Sequence, residues 1–213
     1  MEAAQDLASR VEFIGGRLCL DFTNTNSNRG GVEDHERLMS YADLVEWGRM
    51  AGVLSQAEVR RLRAAGAQHP AEAGRVFARA RELREAIYRI VSTRLNGRIP
   101  AAADVDLLNR MLSQALAHRR LTATRDGFAW EWMPAADDLG WMLWPLASSA
   151  AELLMSEELA RVKECASQNC NWLFVDASRN RSRRWCDMKD CGNRAKARRH
   201  YQRVRGSGGR RVS

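Results

Sequence analysis

Proline is scarce, with 4 in 213 residues, and histidine is equally rare. So few prolines, with no low-complexity tract, exclude a collagen-like or wholly disordered chain. His35, His69, His118 and His200 are dispersed along the chain, and no Ser-His-Asp or Cys-His order, phosphate-cradling glycine loop or paired carboxylate motif accompanies them. An enzyme is therefore not expected. No apolar run approaches the ~20 residues of a membrane span: the longest charge-free apolar stretch, Leu139 to Ala151, has 13. The opening Met1-Glu-Ala-Ala-Gln-Asp lacks the basic-then-apolar order of a secretory signal, so a soluble, cytoplasmic protein without membrane contact is expected. What the chain does have is 45% hydrophobic residues, enough for cores in one or two domains.

Charge divides the chain. Formal net charge is +8, yet residues 161–213 hold 15 basic and 4 acidic residues, whereas the first 160 hold 19 and 22. Basicity focused in this way implies a polyanionic partner, because Lys and Arg that neutralise phosphates release condensed counterions. A solvated solubility tail is the competing reading.

The amino-terminal part reads as mainly helical. Val11 to Thr25, broken at Gly15-Gly16, is a strand pair or a turn leading into a short helix, and Asn24 to Gly31 is a loop by composition. Leu38 to Leu54 has helical spacing, Ser55 and Glu58 form a capping box, and Pro70 opens a helix with Val76, Ala80, Leu83, Ile87 and Leu95 inward, ended by Asn96-Gly97. Another helix starts near Pro100 and Asp104. Asp126-Gly127, between Leu121-Thr-Ala-Thr and Phe128-Ala-Trp-Glu-Trp132, predicts a β-hairpin. A last helix from about Asp138 to Glu158 should kink or restart at Pro145. Trp130, Trp132, Trp141 and Trp144 are read as packing of hairpin against helix, with an aromatic ligand pocket as the alternative. Asp21, Asn24 and Asn26 line a pocket or, more ordinarily, satisfy nearby backbone groups.

Cysteine use gives the sharpest signal. Cys19 stands alone in an apolar segment and reads as a small hydrophobe. The other four form two equal pairs, Cys165-x4-Cys170 and Cys186-x4-Cys191, separated by fifteen residues. Two short-spaced pairs can wrap tight turns around one tetrahedral zinc ion, and four thiolates leave no position for an activated water, so the metal is structural. Two disulfides are the alternative, disfavoured in a reducing interior. Between the pairs, Asn171 to Asp176 reads as a strand, Ala177 to Ser182 as a turn and Arg183-Arg-Trp185 as the return. After Cys191, Arg194 to Arg205 reads as a helix with Ala197, Tyr201 and Val204 as a narrow stripe suited to Trp172 or Phe174, and with His200 on the surface. Knuckle, hairpin, knuckle and helix suggest a treble clef that depends on its metal to fold. The expected class is α+β, with a mainly helical domain over residues 1–160 bearing a β-hairpin and a small treble-clef-like zinc finger over residues 161–213.

These residues resemble a known family. Cys165-Ala-Ser-Gln-Asn-Cys170-Asn-Trp-Leu-Phe-Val-Asp, Ser178-Arg-Asn-Arg-Ser-Arg-Arg-Trp-Cys186 and Cys191-Gly-Asn-Arg194-Ala-Lys-Ala-Arg-Arg-His200 are similar to the CGNR zinc finger. Gly15-Gly-Arg-Leu-Cys-Leu-Asp-Phe-Thr-Asn-Thr25 is similar to the opening of the ABATE domain that precedes this finger in bacterial proteins. The resemblance implies a stress-responsive transcription regulator whose finger binds nucleic acid, DNA before RNA, with one zinc on Cys165, Cys170, Cys186 and Cys191.

The expected phosphate contacts are Arg179, Arg181, Arg183 and Arg184 between the knuckles and Arg194, Lys196, Arg198, Arg199 and Arg203 on the helix. Asn193 and Arg194 either brace the second knuckle or touch nucleic acid. RNA binding with Trp172 or Trp185 stacking on unpaired bases, at least one of the two being buried, and zinc-thiolate redox sensing are the alternatives. A small-molecule effector or a partner sensed by the first domain would act on the finger through the junction near Leu159 to Lys163.

Overall fold

The protein is described by a computed structural model over residues 7–29, 31, 35–135 and 138–208. After the Gly15-Gly16 turn the chain forms the short helix α1 (Leu18–Thr23), the second of the two readings of that segment. Gly16 takes φ +80, which glycine adopts without strain. Two-residue strands β1 (Asn26–Ser27), inside the segment expected to be loop, and β2 (His35–Glu36), beyond it, pair antiparallel. Helices α2 (Tyr41–Met50), α3 (Gln56–Gln68), α4 (Pro70–Leu95) and α5 (Ala102–Ala117) follow. Ser40 caps α2 through the Asp43 amide, the Ser55–Glu58 capping box starts α3, and Pro70 sits in the first turn of α4, where its missing N–H costs nothing. Near Pro145 the chain restarts as expected: a 3₁₀ turn, Trp141–Leu143, leads into α6 (Trp144–Met155) with the proline in its first turn.

The core lies where α1 and α6 meet α4, with Leu20, Phe22, Leu83, Ile87, Leu146 and Leu153 among its buried members. Cys19 is fully buried there, and burial pushes its thiol up to about 12. Among the described residues no helix is long and apolar enough to cross a membrane.

The Asp126-Gly127 hairpin forms as β3 (Arg119–Thr124) and β4 (Gly127–Trp132). Its aromatic face does not pack as expected, however. Trp141 and Trp144 are core and Trp132 packs at its margin, but Trp130 is 59% and Phe128 76% exposed. The register accounts for this difference. Only the first rung, Arg119 opposite Trp132, reaches the helical body, while the rungs Leu121–Trp130 and Ala123–Phe128 extend beyond it.

In the carboxyl-terminal part, β5 (Val162–Glu164) pairs antiparallel with β6 (Leu173–Val175). Arg183 to Trp185, expected to return as the partner strand, carries no strand, because β6 has already paired with the segment before the first cysteine. Strand alternation makes β6 a shared wall: Leu173 and Val175 join the large core, while Trp172 and Phe174 join a second cluster made by the four cysteines. The closing helix, α7 (Asn193–Gly208), follows a π turn at Met188–Gly192.

Candidate metal centre and nucleic-acid interface

The turn between β5 and β6 carries Cys165 and Cys170. Cys165 donates its amide to the Trp172 carbonyl at 2.8 Å, and the knuckle reverses at Asn171, whose φ of 66 asparagine tolerates better than most residues. Cys186 ends the loop after β6, and Cys191 lies in the π turn that feeds α7. Asp187 holds that turn by accepting the Lys189 amide on its side chain and the Gly192 amide on its carbonyl.

The four sulfurs lie within 4.8 Å of one another, and Cys186 Sγ is 3.6 Å from both Cys170 Sγ and Cys191 Sγ. A zinc tetrahedron with Zn–S of ~2.3 Å has edges of about 3.8 Å. A disulfide needs ~2.05 Å, and all four cysteines are free. The donor set and spacing therefore fit a single structural Zn2+, with no coordination position left over.

The surroundings favour thiolate at Cys165 and Cys191, while Cys170 and Cys186 are pushed up by the neighbouring sulfurs. The Cys186 amide donates to Cys165 Sγ at 3.4 Å and Arg194 donates to Cys191 Sγ at 3.0 Å. Cys191 is held below the usual thiol range by hydrogen bonds from Cys165, Cys170 and Cys186, with Arg194 acting in the same direction.

The loop after β6 is organised around Asp176, a residue that composition alone leaves inside a strand. Its side chain is fully buried and accepts the Ser178 amide and hydroxyl at 2.9 and 2.6 Å, the Arg183 amide at 2.9 Å and Lys163 Nζ at 2.7 Å. Lys163 also donates to the Arg181 and Arg183 carbonyls. These bonds, with Lys163 first, hold the Asp176 carboxyl well below the ordinary range. One buried carboxylate and its half-buried lysine thus fix the loop that bears the first group of arginines.

Those arginines are placed differently from one another. Arg179, Arg181 and Arg184 are exposed. Arg183 is turned inward, with its guanidinium 4.3 Å from the centre of the Phe174 ring and donating to the Trp185 and Cys186 carbonyls. Its donors are used inside the finger. On α7, Lys196, Arg198, Arg199 and Arg203 are exposed, and Arg198 donates to Gln168. Arg194 bonds Cys191 Sγ and pairs with Asp190 at 3.0 Å, while Asn193 donates to the Lys189 carbonyl at 2.9 Å, so both brace the second knuckle.

The stripe expected to pack α7 on the finger core does not do so, since Ala197 and Tyr201 are exposed and Tyr201 lies under Arg205. Trp172 and Phe174 are instead buried under Arg37 and Arg183. The side chains of His200 and Val204 lie outside the described residues.

Comparison with protein families places these features. Residues 16–157 match the ABATE family model, described as "Putative stress-induced transcription regulator". The chain belongs to the ABATE family. Residues 161–204 match the CGNR zinc finger. A comparison with curated proteins finds no match.

The ABATE signature segment touches the finger, as does α4 through Tyr88 and Ser92 at Glu164. Asn24, which is 2% exposed, clamps β6 with both ends of its amide: Nδ2 donates to the Leu173 carbonyl and Oδ1 accepts the Leu173 amide, each at 2.9 Å. Gly15 accepts the Val175 amide at 2.9 Å, and Asn28, at φ 60, donates its amide to the Cys170 carbonyl at 2.8 Å. Asp21 Oδ1 accepts the Gly15 amide at 2.7 Å and shapes that turn.

On the other side the same segment is fastened to the ABATE helices. Arg84 of α4, almost fully buried, reaches Glu36 at 2.7 and 2.6 Å and Thr25 at 3.1 Å. Burial would raise the Glu36 carboxyl, but Arg84 outweighs it and holds the group below the usual carboxylate range. Arg37, from the residue after β2, lies 4.8 Å over the Trp172 ring. A contiguous set of contacts therefore runs from α4 to the first zinc knuckle.

Proposed function

We propose that this chain is a DNA-binding transcription regulator of the stress-responsive kind its family description suggests, acting in the cytoplasm by binding rather than by catalysis. We place its working parts at residues 1–160, a sensing domain, and 161–213, the finger. The observation that carries the reading is the set of exposed cations held by the zinc framework: Arg179, Arg181 and Arg184 on the loop and Lys196, Arg198, Arg199 and Arg203 on α7. Among the described residues none of these seven pairs with a carboxylate. Cations left unpaired beside a rigid metal centre suit a phosphate backbone. Arg183, Arg194 and Asn193 serve the finger itself.

The effector site fits a cleft of about 580 Å³ between α2, α3 and α4, lined by Tyr41, Glu46, Arg63 and Phe77 among others. That volume suits a small molecule. The Arg84–Glu36 pair and the Asn24 clamp lie between the ABATE helices and the finger and supply the means of transmission, in addition to the covalent junction at residues 159–163.

The test is selection of bound sequences from random duplex DNA over a salt series, with duplex RNA and single strands as competitors. DNA binding should weaken steeply with salt, and Arg203→Ala or Lys196→Ala should each lower the log–log slope by about 1. A tenfold preference for RNA, or no retention of DNA at low salt, would overturn the assignment.

A further inference from the structure

The finger carries a second cleft, smaller and differently built, where its first knuckle faces α7. It measures about 230 Å³ and is lined by Ala166, Ser167 and Gln168 on one wall, Arg184 and Trp185 at its base, and Ala195, Arg198, Arg199 and Gln202 on the other wall. We propose that this notch takes a single unpaired nucleotide of a bound DNA strand, its base against Trp185 and its phosphate among Arg184, Arg198 and Arg199. This rests on the DNA-binding reading above and specifies what the surface recognises beyond phosphate charge.

Three features point to this ligand. No acidic side chain lines the notch, and three guanidiniums converge on it. By contrast, the cleft at the ABATE seam contains Asp190 beside Arg37 and Arg194, and there Asp190 already pairs with Arg194. The notch cations therefore suit an incoming anion.

The second feature is aromatic. Trp185 packs only part of its surface on the cysteine cluster and presents the rest to the notch, with the Arg184 guanidinium 5.5 Å from its ring centre. An indole flanked by arginines is the combination on which unpaired bases stack, whereas a base inside a duplex already has both faces covered. Gln202 brings a carboxamide that donates and accepts at a base edge, and Gln168, whose Oε1 takes Arg198, keeps its amide N–H groups as donors. The volume falls below the ~300–1,000 Å³ of sites for drug-sized ligands, which fits one ring system with its phosphate.

The third is rigidity. The walls are tied together by the Ala166 amide donating to the Arg184 carbonyl at 2.9 Å and by Arg198 reaching Gln168. Each wall leaves directly from a metal ligand: Ala166 follows Cys165, Trp185 precedes Cys186, and α7 begins two residues after Cys191. The notch therefore exists only while the zinc site holds its shape.

Fluorescence anisotropy on the full zinc-loaded chain tests this with three labelled oligonucleotides: a blunt duplex, a duplex with a one-nucleotide overhang, and the same overhang lacking its base, the last two being of equal charge. Stacking of one base contributes ~1–3 kcal/mol, so the overhang should bind about 5- to 150-fold more tightly than the other two. Trp185→Leu should bring that ratio to near 1, and Trp185→Phe should keep most of it. Arg203→Ala should weaken all three together and leave the ratio alone.

Because Trp185 also supports the finger, Ala195→Leu, which fills the notch from the helix side, provides a second variant, and zinc content is measured for each. Equal affinity for all three oligonucleotides would overturn the notch while leaving DNA binding intact. Absence of binding to any of them would overturn DNA binding itself. Competition by free mononucleotide at micromolar concentration would also overturn the proposal, by showing that the site takes a free ligand instead.

Discussion

Truncating Asn24 to alanine should weaken a zinc finger whose nearest cysteine lies more than 140 residues further along the chain. Asn24 is almost fully buried and spends both its amide groups on the Leu173 backbone. Alanine would leave a buried N–H and a buried C=O without partners, at ~1–3 kcal/mol each. Allowing for partial rescue by water, the loss should be about 3 kcal/mol, or ~6–12 °C in the unfolding midpoint for a chain of this size. Since β6 leads directly out of the Cys170 knuckle, the metal should also be stripped more readily.

The assay is thermal unfolding of zinc-loaded protein by circular dichroism, run beside zinc release to a chelating dye. Asn24→Asp, which removes the donor and sets a carboxylate against the Leu173 carbonyl, should do at least as much damage. A midpoint change under ~2 °C with normal zinc retention would refute the clamp. A lowered midpoint with unchanged zinc retention would refute the link to the finger and confine Asn24 to the ABATE helices.

Other perturbations follow from the same geometry. Burial raises the Asp21 carboxyl to about 6 against its hydrogen bond from Gly15, so the folded chain holds that proton more tightly than the unfolded one. Its contribution to stability should therefore fall as pH rises from about 4 to about 6, by ~1–2 kcal/mol after discounting for partial exposure. Urea titrations across that window should show the fall in the wild type relative to Asp21→Asn, and parallel profiles would contradict it. A methyl group on Gly15 would lie 2.8 Å from Leu20 Cβ and 2.9 Å from the Asp21 amide nitrogen, so Gly15→Ala should lower the midpoint by several degrees, which differential scanning calorimetry would detect. Cys191→Ser should lose bound zinc from a stoichiometry of one per chain, read by elemental analysis. Lys163→Met removes the partner of buried Asp176 and should loosen the arginine loop, weakening the proposed DNA binding several-fold at unchanged zinc content in a filter-binding titration.

What sequence reasoning reached was local. The Ser55–Glu58 box, Pro70, the Asp126-Gly127 turn and the paired cysteines each express their role within a few residues, because capping, φ restriction and chelation act over that span. Contacts between distant segments were not legible. Asn24 and Leu173 are 149 residues apart, and an asparagine beside glycines looks like an ordinary turn residue. Arg183 reads like its neighbours until the fold turns it toward Phe174. Three-residue strands such as β5 carry too little alternation to announce a partner, so the sequence points β6 toward the return segment instead. Trp130 and Phe128 show the converse: their type promised burial, and only the register of the hairpin reveals that they pass beyond the body they were expected to cover. One cue was available for Asp176, a lone acid opening a run of arginines, since an unmatched carboxylate there needs partners close by.

The double-sided character of β6 also limits how the protein can be taken apart. Severing the chain at the junction would strip Leu173 and Val175 of their cover on one fragment and leave a trough along α1 on the other, so both pieces would offer greasy scars to any neighbour. Behaviour measured on an excised finger would then describe the wound rather than the native surface, and grafting this finger onto a foreign scaffold would require a substitute for the first helix to travel with it.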